Sequence, residues 1–224
     1  MGDTENIRKS TAKVLSYVEK VSSFASSIDP LFGIVTSLVS IVRKGIYDEE
    51  TNELEKDFQA IYSTLESISQ KNKQTLKQMR IDEIHETFTK YEEYIKHQYK
   101  AFNTMVELVK RDPEHKESHM ADFQETYERD KGDLSLDVFY HGVMGTRRTF
   151  GRPLLPVYME HCDGDLKIME HRCSHLTNLF HVGLVALMGY TAVIEDDEEE
   201  VRDKWAKRVT EIQAKMQEVL SQCK

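Results

Sequence analysis

Residues 176–194, LTNLFHVGLVALMGYTAVI, run for 19 positions without a charged side chain, in a chain of 224 residues that is otherwise rich in charge. An acidic run, Glu195 to Glu200, follows at once. As a helix rising about 1.5 Å per residue the segment covers about 28 Å, close to the roughly 30 Å hydrocarbon thickness of a bilayer, so its length permits a span. Its composition favours a protein interior. Thr177, Asn178, His181, Gly183, Gly189 and Thr191 dilute the apolar content, and an Asn or His facing lipid would need a partner inside the protein. The first expectation is therefore a deeply buried core helix, with Leu184, Leu187 and Val193 packed against other helices. A membrane-active segment stored inside a soluble fold is the second reading, and a constitutive span the third.

Working outward, the pattern around this segment predicts a helix over 164–194 and another over 196–221, where Val201, Trp205, Val209, Ile212, Met216 and Val219 recur on one face. Towards the N-terminus, Ile7, Thr11, Val14, Val18, Val21, Ala25 and Ile28 alternate steps of four and three, which predicts an amphipathic helix near 5–28. Asp29-Pro30 is expected to break it, because proline removes a donor and disfavours αR in the residue before it. Residues 31–42 then form a second charge-free stretch. Twelve residues are too few to span a bilayer as one helix, so this is a core helix or, in the second reading, half of a membrane-seeking hairpin. The membrane-insertion candidates are accordingly Leu31, Phe32, Ile34, Val35, Leu38 and Val39 in the first stretch, and Leu179, Phe180, Leu184, Val185, Leu187 and Met188 in the second.

Residues 51–109 contain no Gly or Pro and carry heptad-like apolar positions: Leu54, Phe58, Ile61, Leu65 and Ile68, then Leu76, Met79, Ile84, Phe88, Tyr91, Ile95, Phe102, Met105 and Val109. They predict either one rod of about 90 Å or two helices turning near Asn72, in both cases with a partner helix alongside. Asp112-Pro113 ends the segment, and DPEHKESH reads as a surface loop. The section 111–163 is irregular, with loops and short helices expected among its glycines and prolines. The fold class is thus all-α: an elongated helical bundle with long heptad-patterned helices and two charge-free helical segments, in a single domain over 1–224.

Chemistry is sparse. Gly142, Gly145 and Gly151 among Arg147, Arg148 and Arg152 invite a phosphate cradle, but no preceding strand and no Lys-Ser/Thr ending accompany them, and pairing of the arginines with the protein's own carboxylates is the expectation. His171 and His175 are spaced to share a helix face, yet with His161, Cys162 and Cys173 they match no zinc pattern, so no metal is expected. Cys162, Cys173 and Cys223 read as free thiols, with a Cys162–Cys173 bridge as the alternative. No nucleophile elbow is present and the carboxylates cluster in solvated runs, so neither an enzymatic activity nor a cofactor is expected. A net charge of -9 opposes binding to nucleic acid. The N-terminus MGDTENIRKS lacks an apolar signal region, and a mean hydropathy of -0.55 suits a cytoplasmic protein, peripheral to membrane in the second reading.

Five blocks carry a family resemblance: KVLSYVEKVSSFASSIDPLFGIVTSLVSIVRKG (13–45), LEKDFQAIYSTLESISQKNKQTLKQ (54–78), KYEEYIKHQYKAFNTMVE (90–107), DLSLDVFYHGVMGTRRTFGRPLLPVYMEHC (133–162) and HVGLVALMGYTAVIEDDEEEVRDKWAKRV (181–209). Together they resemble the rapunzel proteins of fishes, which are distantly similar to cephalotoxin-like proteins, a set that includes animal toxins. The resemblance implies a non-enzymatic role in fin and skeletal development, exercised through protein partners. It transfers no catalytic residues. The toxin likeness adds weight to the alternative, a membrane-acting protein like helical pore formers that inserts 31–42 and 176–194. The partners so implied are other proteins, further copies of the chain in a homo-oligomer, or a membrane surface.

Overall fold

The computed structural model describes the backbone of residues 2–18, 20–45, 49–77, 82–147 and 152–224, and their side chains apart from 2–7, 50, 51, 72–77 and 82–87. Ile7, Leu76, Met79 and Ile84 of the apolar pattern, and Arg148 and Gly151 of the glycine–arginine cluster, lie outside the described side chains. Among the described residues there are nine α-helices and no strand: α1 Gly2–Tyr17, α2 Phe24–Lys44, α3 Glu49–Lys77, α4 Asp82–Arg111, α5 Lys116–Arg129, α6 Leu134–Met144, α7 Leu154–Cys162, α8 Leu166–Val193 and α9 Glu198–Ser221.

The heptad-like positions are what the core is made of. Leu54, Phe58, Ile61, Leu65 and Ile68 of α3, Phe88, Ile95, Phe102, Met105 and Val109 of α4, and Trp205, Val209, Ile212, Met216 and Val219 of α9 are all buried in one continuous apolar cluster. Helices α3 and α4 run antiparallel: Lys110 Nζ donates to Glu55 at 2.7 Å, Phe58 meets Phe102 edge-on at 5.8 Å, and Tyr62 stacks on Tyr99 at 4.9 Å. The 90 Å rod is thus excluded. The break between them falls after Lys77 rather than near Asn72, because the Gln- and Lys-rich stretch around 70–74 is polar without being a poor helix former.

Two local expectations are overturned. The helix predicted near 5–28 leaves α-geometry after Tyr17, and α2 starts at Phe24 with Pro30 inside it. A side chain from the far end of the chain sets this start: Gln213 Oε1 accepts from the Ala25 N–H at 2.7 Å, and its Nε2 donates to the Ser22 carbonyl at 3.0 Å. Pro30 is tolerated because the carbonyl it leaves without an intrahelical donor belongs to Ser26, an exposed residue. Likewise DPEHKESH is no open loop. Pro113–His115 forms a 3-10 turn, with Pro113 at a position where the missing N–H is not needed, and α5 begins at Lys116. Asp112 secures the corner, accepting from His115 at 2.9 Å and His119 at 3.2 Å.

Two glycines of the suspected phosphate cradle, Gly142 and Gly145, have packing and capping duties in α6. A Cβ on Gly142 would lie 2.9 Å from the Phe88 ring, and Gly145 ends α6 with φ +72°. Arg152 pairs with Glu160 at 2.5 Å.

Candidate functional site

Helix α8 is the axis of the molecule. It packs against α2, α3, α4, α5, α6, α7 and α9, and every residue from His175 to Gly189 is buried. Asp165 starts the helix by accepting the Ile168 N–H at 3.2 Å. Its two charge-free-segment glycines are contact points. A Cβ on Gly183 would stand 2.5 Å from Leu136 of α6, and one on Gly189 would stand 2.5 Å from the Phe102 ring of α4. These residues therefore let neighbouring side chains seat on the α8 backbone, at the entropic cost glycine carries inside a helix.

The acidic run after α8 is accounted for by the next helix. Asp197 accepts from the Glu200 N–H at 3.0 Å as the N-cap of α9, and Glu198, Glu199 and Glu200 occupy its first turn, where negative charge complements the helix dipole.

All twelve insertion candidates are buried: Leu31, Phe32, Ile34, Val35, Leu38 and Val39 on α2, and Leu179, Phe180, Leu184, Val185, Leu187 and Met188 on α8. The two helices lie side by side and are latched at both ends. At one end His181 Nε2 lies 2.7 Å from Ser27 Oγ, and at the other Arg43 Nη2 donates to the carbonyls of Ala192 and Val193, each at 2.9 Å. Residue numbers rise together across the pair, from 27 beside 181 to 43 beside 192. The helices are therefore parallel, brought together by the whole intervening bundle rather than joined to each other by a turn.

The polar residues that dilute the α8 segment are mostly engaged within the interior. Thr191 Oγ1 donates to the Leu187 carbonyl at 2.8 Å, and Thr177 Oγ1 lies 3.6 Å from the Met216 sulfur. His181 is completely buried, edge-on to Phe24 at 4.9 Å. Its Nδ1–H donates to the Thr177 carbonyl at 2.9 Å, because a carbonyl can only accept. In the neutral ring Nε2 must then accept the single hydroxyl hydrogen of Ser27, leaving the 2.7 Å contact of Ser27 Oγ with the Phe24 carbonyl without a hydrogen. A protonated ring would satisfy all three contacts at once, yet burial outweighs that gain and pushes the imidazole down to about 4. Asn178 Oδ1 is buried with no hydrogen-bond partner among the described residues.

Nearer the start of α8 the interior is more ionic. Glu92 of α4 lies 3.4 Å from His175 Nε2 and 3.0 Å from Lys96 Nζ. Burial pushes its carboxyl up, but the imidazole and ammonium outweigh burial and hold it at about 2. Arg172 is buried with its guanidinium 5.1 Å from the centre of the Tyr158 ring, and its Nη2 has no hydrogen-bond partner among the described residues. The histidines singled out for metal do not converge: His175 is buried against Glu92 while His171, one turn earlier, is exposed. No three potential ligands gather in a metal-binding group among the described residues. Sequence spacing correctly marked α8 but missed Ser27, Arg43 and Gln213, whose partners lie 149 to 191 residues away. No local signal could have found them.

These features define a class: an all-helical protein organised round one apolar central helix. Residues 46–224 match the cephalotoxin-like middle helical domain, a stretch that includes α8 but not α2. The chain belongs to the rapunzel family, being 38% identical over 222 residues to protein rapunzel of Danio rerio, with 99% of this chain and 96% of that protein covered. No solved structure matches it.

Proposed function

We propose that the chain is a non-enzymatic helical protein that acts in fin and skeletal growth through protein partners, from the cytoplasm. The observation that carries this is the kinship with protein rapunzel, 38% identical over 99% of the chain. The interior supports it, since the titratable groups gathered round α8 are engaged in packing and latching rather than lining an open cleft. Expression of the chain in Danio rerio embryos tests it. Fin or skeletal growth should change in proportion to the amount of protein, and growth that stays normal at a level matching the native relative would overturn the reading.

A second reading, peripheral action at a membrane, is favoured by the central helix itself. Helices over Val21–Lys44 and Leu166–Val193 are both long and apolar enough to cross a bilayer, the second with 94% of its most apolar window buried. Apolar side chains gain about 25 cal/mol per Å² in lipid as they do in the core, so the exchange of one for the other is nearly neutral for them. What resists release is the set of polar latches: Ser27–His181, Arg43 on the α8 carbonyls, and Glu92–His175. Co-sedimentation with anionic vesicles at pH 7.4 and pH 4.8 separates the readings, because acid weakens the first of these, drawing stability from the fold through His181 as pH falls towards 4. Binding at pH 4.8 that is lost when Leu184 and Leu187 are both replaced by Ser supports membrane action, and equal or absent binding in both proteins removes it.

A further inference from the structure

The three cysteines stand 11 and 50 residues apart in sequence, on different parts of the fold, and the structure brings them to one seam. Cys162 ends α7, Cys173 lies on α8, and Cys223 follows α9. Two backbone hydrogen bonds fasten the last residue to the α7–α8 turn: the Lys224 N–H donates to the Gly164 carbonyl at 2.9 Å, and the Leu166 N–H donates to the Lys224 carbonyl at 3.2 Å. This holds Cys223 beside the end of α7. There it shares a neighbour with Cys162, because Cys223 Sγ is 3.5 Å from the sulfur of Met159 and Cys162 Sγ is 3.6 Å from the Met159 carbonyl. All three are unpaired, Cys162 and Cys173 buried and Cys223 partly exposed.

From this geometry we infer that Cys162 and Cys223 are a redox modification site, joined into an intramolecular disulfide by hydrogen peroxide. Cys223, the accessible partner, reacts first. Its thiolate sulfur attacks a peroxide oxygen, the O–O bond breaks, and the departing hydroxide takes a proton to become water, leaving a sulfenic acid. The Cys162 thiolate then attacks that sulfur, the S–O bond breaks, and a second water leaves. Two thiols lose two electrons and one peroxide becomes two waters. Cys173 stays outside the pair, since it is fully buried and burial pushes its thiol up to about 12, which keeps it protonated. Burial, followed by the nearby Cys162 thiol, also raises the Cys223 thiol, so the reaction is slow at neutral pH and accelerates with alkalinity. Such reversible bridges are the kind that suit a reducing compartment. The bond would close a loop over residues 162–223 that contains the whole of α8 and α9, clamping the central helix into the bundle whichever functional reading holds.

The test uses the full chain, reduced and then treated with hydrogen peroxide at pH 7.4 and pH 8.5, with free thiols alkylated before digestion without reductant. Mass spectrometry should find a peptide pair linking Cys162 to Cys223, formed faster at pH 8.5 and reversed by dithiothreitol. The oxidised monomer should melt about 5 °C or more above the reduced one. Cys173→Ser should still form the bridge, and Cys223→Ser should abolish it while melting like the reduced wild type. The inference is overturned by three alkylatable thiols after treatment, by a bridge through Cys173, by dimers joined through Cys223, or by a linked monomer with an unchanged midpoint.

Discussion

Leu184→Asp is expected to lower the thermal midpoint by about 10–20 °C, or to leave the chain unfolded at room temperature. Leu184 is 0% exposed on the central helix, so the new carboxylate would be stranded without a partner in an apolar site, and the volume of the leucine would be left partly empty. The two penalties together reach about 5 kcal/mol, a large share of a typical domain's stability, and each kcal/mol moves the midpoint of a chain this long by about 2–4 °C. Leu108→Asp is the matched control. Leu108 is 38% exposed on α4, where the same change should cost little. Helical circular dichroism followed through a melt reads both, and equal midpoints for the two variants would contradict the central placement of α8.

The second large effect is acid destabilisation through His181. Its imidazole titrates near 4 in the folded protein against an ordinary value of 6.5. Between those values the unfolded chain binds the proton and the folded chain does not, so stability rises with pH there. The contribution is complete above pH 6.5 and is lost as pH falls towards 4, a total of about 3 kcal/mol for this group. Glu92 acts lower down. Held at about 2 against an ordinary 4.5, it contributes above pH 4.5 and loses that contribution only as pH falls below it. Urea unfolding at pH 7.4 and pH 4.5 therefore isolates the histidine. Wild type should lose about 2–3 kcal/mol more over that interval than His181→Gln, whose amide does not titrate. Identical losses in the two proteins would show that the ring is not held neutral between Ser27 and Thr177.

The latches explain why an acid-sensitive group matters to this fold more than its size suggests. His181 is one of the polar contacts joining α2 to α8, and a charged ring there would sit against Phe24 with no carboxylate among the described groups that influence it. If acid loosens the protein first at this contact, the helices freed are the two long apolar ones. Peroxide would act in the opposite direction, by tying the end of α9 back to α7.

Periodic burial is legible in the sequence itself. The steps of three and four in α3, α4 and α9 named the core faces correctly, because a helix with one apolar stripe must bury it whatever its neighbours are. The burial of α8 was legible from Asn178, His181 and the glycines, residues that a lipid-facing helix would leave unsatisfied or unused. The start of α2, the passage of the chain through Pro30 and the helical beginning of α5 were not legible, because each depends on side-chain contacts or solvent exposure that local propensity does not contain.

The sequence by itself determined the class of fold, the apolar faces of its helices and the buried character of its 19-residue charge-free segment, since all three follow from side-chain chemistry repeated at a helical period. Only the tertiary structure decided that α2 and α8 lie parallel, that Arg43 caps α8 and Gln213 caps α2, and that Cys162 and Cys223 both come against Met159. Those pairings join residues far apart along the chain, and their distances are set by how the helices fill one core, a property of the packed whole that no local pattern encodes.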